Sequence, residues 1–163
     1  MSGSERIVGR WGRGAERVTS LIEARHLQRV VGDPDTVDAL MASARRHVVS
    51  ARLTLASDPE AAYGLAYDAA RKSATALLSH QGLRPTTAGG HIAVVDAISA
   101  QFPGLPGLRS LDRLRRRRNQ AGYPDPRNYD PITPEEANEA IQAAGDCVAS
   151  AERLLKLDET GIF

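Results

Sequence analysis

The sequence predicts an all-α fold, an up-and-down antiparallel bundle of about five to six helices, and three observations carry that expectation. Apolar residues recur at the helical period through most of the chain. Capping acids followed by proline mark successive segment starts. Alanine is plentiful while aromatic residues make up only 4% of the sequence, a balance that suits closely packed helices better than a β-sandwich. At 163 residues the chain is long enough to bury a core without covalent staples. The organisation read from it is a flexible N-terminal segment over 1–15, rich in glycine, and one helical domain over 16–160.

The first helix is expected in "AERVTSLIEARHLQRVV", with Val18, Leu21, Ile22 and Leu27 on one face. "GDPD" supplies the next start: Asp33 can cap, and Pro34 can occupy a first turn where a missing amide hydrogen costs nothing. The second helix repeats Leu40, Ala44, Val48, Ala51 and Leu55. Asp58, Pro59 and Glu60 then open a third, whose stripe of Ala62, Ala66, Ala69, Ser73, Ala76 and Leu77 lets neighbours approach closely. A shorter helix, "HIAVVDAISAQF", stops at "PGLPG", and a fifth runs from about Leu108 through the arginine-rich stretch. "YPDPRNYDPI" reads as a loop because its prolines forbid a helix. The last helix opens with a capping-box pattern, Thr133 and Glu136. No segment reads as a strand.

Several function classes lack their signatures. One cysteine, Cys147, excludes an internal disulfide and fits a reducing compartment. No apolar leader or membrane span is visible, so a cytoplasmic protein without membrane contact is expected. His26, His47, His80 and His91 show no paired metal-ligand spacing, and no metal or other cofactor is expected. Nucleotide-binding glycine loops and the serine-hydrolase elbow are also missing.

The stretch "RLRRRRNQAGYP" stands out: Arg113, Arg115, Arg116, Arg117 and Arg118 fall within six positions of a chain whose formal net charge is +1. Like charges at helical spacing repel by a few tenths of a kcal/mol per pair (roughly), so such a helix gains when anions meet it. Arginine forks match phosphate oxygens in pairs, which makes RNA, DNA or a nucleotide the natural partner. The same arginines also suit the negative end of a helix dipole and acids on neighbouring helices, and composition leaves both readings open.

Four segments together, "AYGLAYDAARKSATALLSHQGLRP", "GGHIAVVDAI", "RRRRNQAGY" and "ITPEEANEAIQAAGDCVASAERLL", resemble the HEPN (higher eukaryotes and prokaryotes nucleotide-binding) domains, in their bacterial branches, over roughly Thr36 to Leu157. The resemblance implies a helical bundle that commonly forms a homodimer, with two arginine motifs facing one another across a cleft. Many such domains are metal-independent endoribonucleases, often toxins held in check by a nucleotidyltransferase antitoxin. Their usual motif is an arginine, four to six residues, then a histidine that moves the proton of the ribose 2′-hydroxyl. Here the last histidine is His91, well before the arginines. Aligned on Arg118 and Asn119, Tyr123 takes the histidine's place. Aligned on the tyrosine, Arg116 becomes the motif arginine and Ala121 replaces the histidine.

On this resemblance the catalytic candidates are Arg118, Asn119 and Tyr123, with Arg113, Arg115, Arg116 and Arg117 holding phosphate. A phenol is a poor base at neutral pH, which leaves open a slow nuclease, a non-catalytic RNA- or nucleotide-binding bundle, and a partner module for a nucleotidyltransferase that modifies Tyr123. Tyr67 and Arg71, one turn apart on the third helix, are candidates for support of the cleft. His91 follows two glycines at a helix start. That position fits a cap and also leaves a place in the cleft open.

Overall fold

The computed structural model describes residues 12–123 and 125–157; the flexible segment expected over 1–15 lies outside them as far as residue 11. Within them six helices follow one another: α1 (Ala15–Glu23), α2 (Pro34–Thr54), α3 (Pro59–His80), α4 (Gly90–Gln101), α5 (Leu111–Gly122) and α6 (Pro134–Leu157). The fold is an all-α bundle, as expected.

The helix starts use the chemistry legible in the sequence. The Asp33 carboxylate accepts from the Asp35 amide at 3.1 Å and Asp58 from the Ala61 amide at 3.0 Å, each with proline in the first turn. At α6 the Thr133 hydroxyl accepts from the Glu136 amide at 3.1 Å, and the Glu136 carboxylate accepts from the Thr133 amide at 3.2 Å. That is the complete capping box, and losing such a cap costs about 1 kcal/mol.

Helix α3 is the centre of the bundle, packing against α2, α4, α5 and α6. Ala62, Ala66, Ala69, Ala70, Ala74 and Ala76 are fully buried on it, so neighbouring backbones come close where larger side chains would hold them apart. Leu77 and Leu78 fill the space nearer its end, each contributing about 1.5–3 kcal/mol by burial. Val37, Met41, Ala44, Val48 and Ala51 of α2 complete one side of this core, and Ala137, Ala140, Ile141, Ala144 and Cys147 of α6 the other.

Two features depart from the sequence expectation. The first helix ends at Glu23, well short of Val31. Arg25 takes a left-handed conformation (φ 61°), the His26 amide donates to the Leu21 carbonyl at 2.8 Å and the Arg25 amide to the Ile22 carbonyl at 3.0 Å, which closes a Schellman turn. The chain then forms a short strand, β1 (Leu27–Arg29), paired antiparallel with β2 (Leu83–Pro85), Leu27 opposite Pro85. Leu27 and Leu83 are both buried, so the ribbon seals one end of the core.

This corner seats α4. The Thr86 hydroxyl donates to the Arg25 carbonyl at 2.7 Å and accepts from the Gly89 amide at 3.1 Å, while the Thr86 amide donates to the His26 carbonyl at 3.0 Å. Gly89 lies so close to the His26 carbonyl that a β-carbon would collide with it. At the other end of the chain's path, Gly107 (φ 78°) brings its backbone against Ala143 and Cys147 of α6, where any side chain would clash. Leu111 and Leu114 then bury one face of α5 and leave Arg113, Arg116 and Arg118 exposed.

Candidate nucleic-acid interface

The arginines of α5 do not share one environment. Arg115 donates to the Asp112 carboxylate at 3.0 and 3.2 Å, and Arg116 pairs with the same carboxylate at 2.8 Å. Arg117 donates to Glu136 of α6 at 2.8 and 3.1 Å and to the Asp130 carbonyl at 3.2 Å. Its hydrogen bond to Glu136 raises the guanidinium's pKa and lowers that of the carboxyl. Arg117 thus bridges α5 to the start of α6. Among the described residues, no carboxylate pairs with Arg113 or Arg118.

Arg118 instead lies over the ring of Tyr67, its guanidinium carbon 5.6 Å from the ring centroid. A cation–π contact uses none of the guanidinium's hydrogen-bond donors, so they stay available for an anion. Tyr67 is fully buried in α3, and its hydroxyl is 3.0 Å from Nδ1 of His91 at the start of α4. The two rings are tilted, with centroids 5.8 Å apart. Burial pushes the Tyr67 hydroxyl's pKa up and keeps it a neutral phenol, despite the nearby Arg71, Arg118 and Arg115. Partial desolvation, then the charges of Arg71 and Arg118, holds the His91 imidazole below its ordinary pKa.

On the other side of Arg118 lies an open cleft of about 400 Å³, between the first turns of α3 and the end of α5. Glu60, Tyr63, Gly64, Arg118, Asn119 and Tyr123 contribute to its walls. Tyr63 is buried and its pKa is raised by desolvation, whereas Tyr123 is 86% exposed just past the end of α5. Tyr123 therefore does not pack its ring on the bundle.

Of the residues singled out from sequence, the structure brings Tyr67, His91 and Arg118 into mutual contact through the tyrosine, and sets Asn119 and Tyr123 along the adjoining cleft. Arg71 sits one turn beyond Tyr67, 3.7 Å from Asp68, with a buried Nε that makes no hydrogen bond. Arg115, Arg116 and Arg117 are held by acids of the chain itself. His91 does not act as a side-chain cap of α4, where no side chain caps the helix. Glu60 and Tyr63 were missed; Tyr63 precedes Tyr67 by four residues on one helix, a spacing that sets both on one face.

Among the described residues, no group of three or more histidine, cysteine or acidic side chains converges as a metal-ligand set. No helix among them is long and apolar enough to cross a membrane. No curated protein and no solved structure matches the chain. The HEPN domain family model matches residues 37–156, a span that takes in α3 with Tyr67, α4 with His91, and the arginines of α5. With more than half of the sequence matched, the chain belongs to the HEPN domain family.

Proposed function

We propose that this protein is a toxin-type, metal-independent endoribonuclease that grips an RNA phosphate with Arg118. Family membership supports a nucleotide- or RNA-related function. The observation that carries the finer reading is the guanidinium of Arg118, which lies over the ring of Tyr67, lines a cleft of about 400 Å³ and is unpaired with any acid among the described residues. Arg113, likewise without a carboxylate partner among them, extends positive charge along α5. Asn119 and Tyr123 flank the nucleotide next to the gripped phosphate. Two copies of the chain would set these segments face to face across a cleft, with the RNA's charge between them relieving the repulsion.

The test is cleavage of single-stranded RNA in EDTA by the wild type, with Arg118→Ala and Tyr123→Phe as comparisons. Products ending in a 2′,3′-cyclic phosphate, lost with Arg118→Ala, support the reading. RNA binding without cleavage would reduce it to a binding module. Neither binding nor cleavage would overturn it.

The exposure of Tyr123 favours a second function for that residue. A tyrosine 86% exposed at a helix exit is open to a modifying partner such as a nucleotidyltransferase antitoxin. Mass spectrometry of the chain co-expressed with its genomic neighbour would detect added nucleotide on Tyr123.

A further inference from the structure

The arginine segment has no histidine after it, yet the bundle delivers one from elsewhere. We infer that His91 is the catalytic residue that moves the proton of the ribose 2′-hydroxyl, supplied by α4 and not by the segment after the arginines. The inference rests on the endoribonuclease reading above. Its basis is geometric: Arg118 and His91 converge on the same buried tyrosine, the Arg118 guanidinium carbon 5.6 Å from the ring centroid of Tyr67 and His91 Nδ1 3.0 Å from its hydroxyl. On this assignment the phosphate sits on the Tyr67 and His91 side of Arg118, and the adjoining nucleotide occupies the cleft that Arg118 also lines.

The backbone holds His91 there. Gly89 presses on the His26 carbonyl, Thr86 ties α4 to the α1–β1 corner, and Gly90 turns the chain with φ 52°. Tyr67 orients the ring. With the proton on Nδ1 donated to the phenol oxygen, Nε2 keeps its lone pair, and Nε2 makes no hydrogen bond among the described residues. His91 is itself exposed, so substrate can reach it.

In the step, Nε2 takes the 2′-hydroxyl proton as the 2′-oxygen bonds to phosphorus and the phosphorus–O5′ bond breaks. The leaving O5′ takes a proton from water. The products are a 2′,3′-cyclic phosphate and a 5′-hydroxyl end, and imidazolium returns its proton to solvent. Arg118 neutralises the charge that gathers on the phosphoryl oxygens. Tyr67 is a positioning residue, acting through His91.

The deciding experiment is RNA cleavage in EDTA by wild type, His91→Ala, His91→Gln and Tyr67→Phe, each also measured for RNA binding and thermal melting. His91→Ala is expected to lose about a hundredfold or more in cleavage rate, with binding and melting close to wild type and part of the rate restored by added imidazole. Tyr67→Phe is expected to lose less and to move the acid limb of the pH profile. If wild type cuts and both His91 variants cut equally well, this inference fails and the endoribonuclease reading survives. Loss of cleavage that tracks loss of folding in both His91 variants, with no imidazole rescue, also overturns it. If wild type binds but does not cut, the nuclease reading falls and this inference with it.

Discussion

Glu136 receives the guanidinium of Arg117 at 2.8 and 3.1 Å while also accepting the Thr133 amide at 3.2 Å. One carboxylate therefore caps α6 and fastens α5 to it. Arg117, one of five arginines in a basic cluster, is only 13% exposed in its side chain and serves the fold.

Glu136→Gln and Arg117→Ala are accordingly expected to lower stability by about 1–2 kcal/mol, less than the roughly 1.5–3 kcal/mol of a well-buried hydrogen bond to a charged group because the Glu136 carboxylate is partly screened by solvent, and to change RNA affinity little. Denaturant unfolding of each variant measures this. The pH dependence has a definite sign. Because Arg117 holds the Glu136 carboxyl below its ordinary value of 4.5, this contribution is present above that pH and lost as pH falls through the lowered value.

Arg118 is expected to behave differently from its neighbours. Arg118→Ala should weaken RNA binding and reduce the magnitude of the slope of log affinity against log salt by about 0.7, the loss of one phosphate contact on a single strand. Arg116→Ala, which removes a guanidinium held by Asp112, should weaken binding less. Arg118→Lys should not restore wild-type affinity, since an ammonium lacks the planar fork. Fluorescence titrations at several salt concentrations would show an equal effect of both positions if the cluster acted only as diffuse charge.

Cleavage is expected to depend on neutral His91, whose surroundings set the pH range. It faces Tyr67, Asp68 and Arg71 from α3 and Arg115 and Arg118 from α5. Desolvation and the arginines hold its pKa below the ordinary 6.5, and Asp68 works against them. The rate should rise with pH through a midpoint below 6.5 and level off by neutrality. Asp68→Asn removes the opposing charge and should move that midpoint lower. The same depression means that the stability His91 contributes is present above pH 6.5 and declines as pH falls through the lowered value. A kcat/KM profile from pH 4.5 to about 8 covers the rising limb and the plateau.

Gly89→Ala tests the seating of α4. Its β-carbon would meet the His26 backbone, which cannot yield without moving the α1–β1 corner. A loss of about 1–3 kcal/mol is expected, with cleavage falling further than stability alone explains, because His91 shifts with the helix. Gly64→Ala, inside α3 with open space around it, is the contrast for melting and should stabilise by up to about 1 kcal/mol, because alanine favours a helix.

The helices were legible in the sequence because their determinants are local. Asp33, Asp58 and the Thr133–Glu136 pair cap within three residues of themselves, and the alanine face of α3 repeats at the period of one helix. The early end of α1 was not legible: the left-handed arginine at position 25 turns the chain so that Leu27–Arg29 pairs with Leu83–Pro85, more than fifty residues away. The arginines show the same division. Their concentration, and the absence of a histidine after them, are properties of the sequence. Which arginine is held by an acid of the chain was decided by tertiary structure, because Glu136 on α6 claims Arg117 while Arg118 lies over Tyr67 on α3. The meeting of His91 with Tyr67 likewise needs α3 and α4 packed together, and no local periodicity encodes a contact between positions 67 and 91.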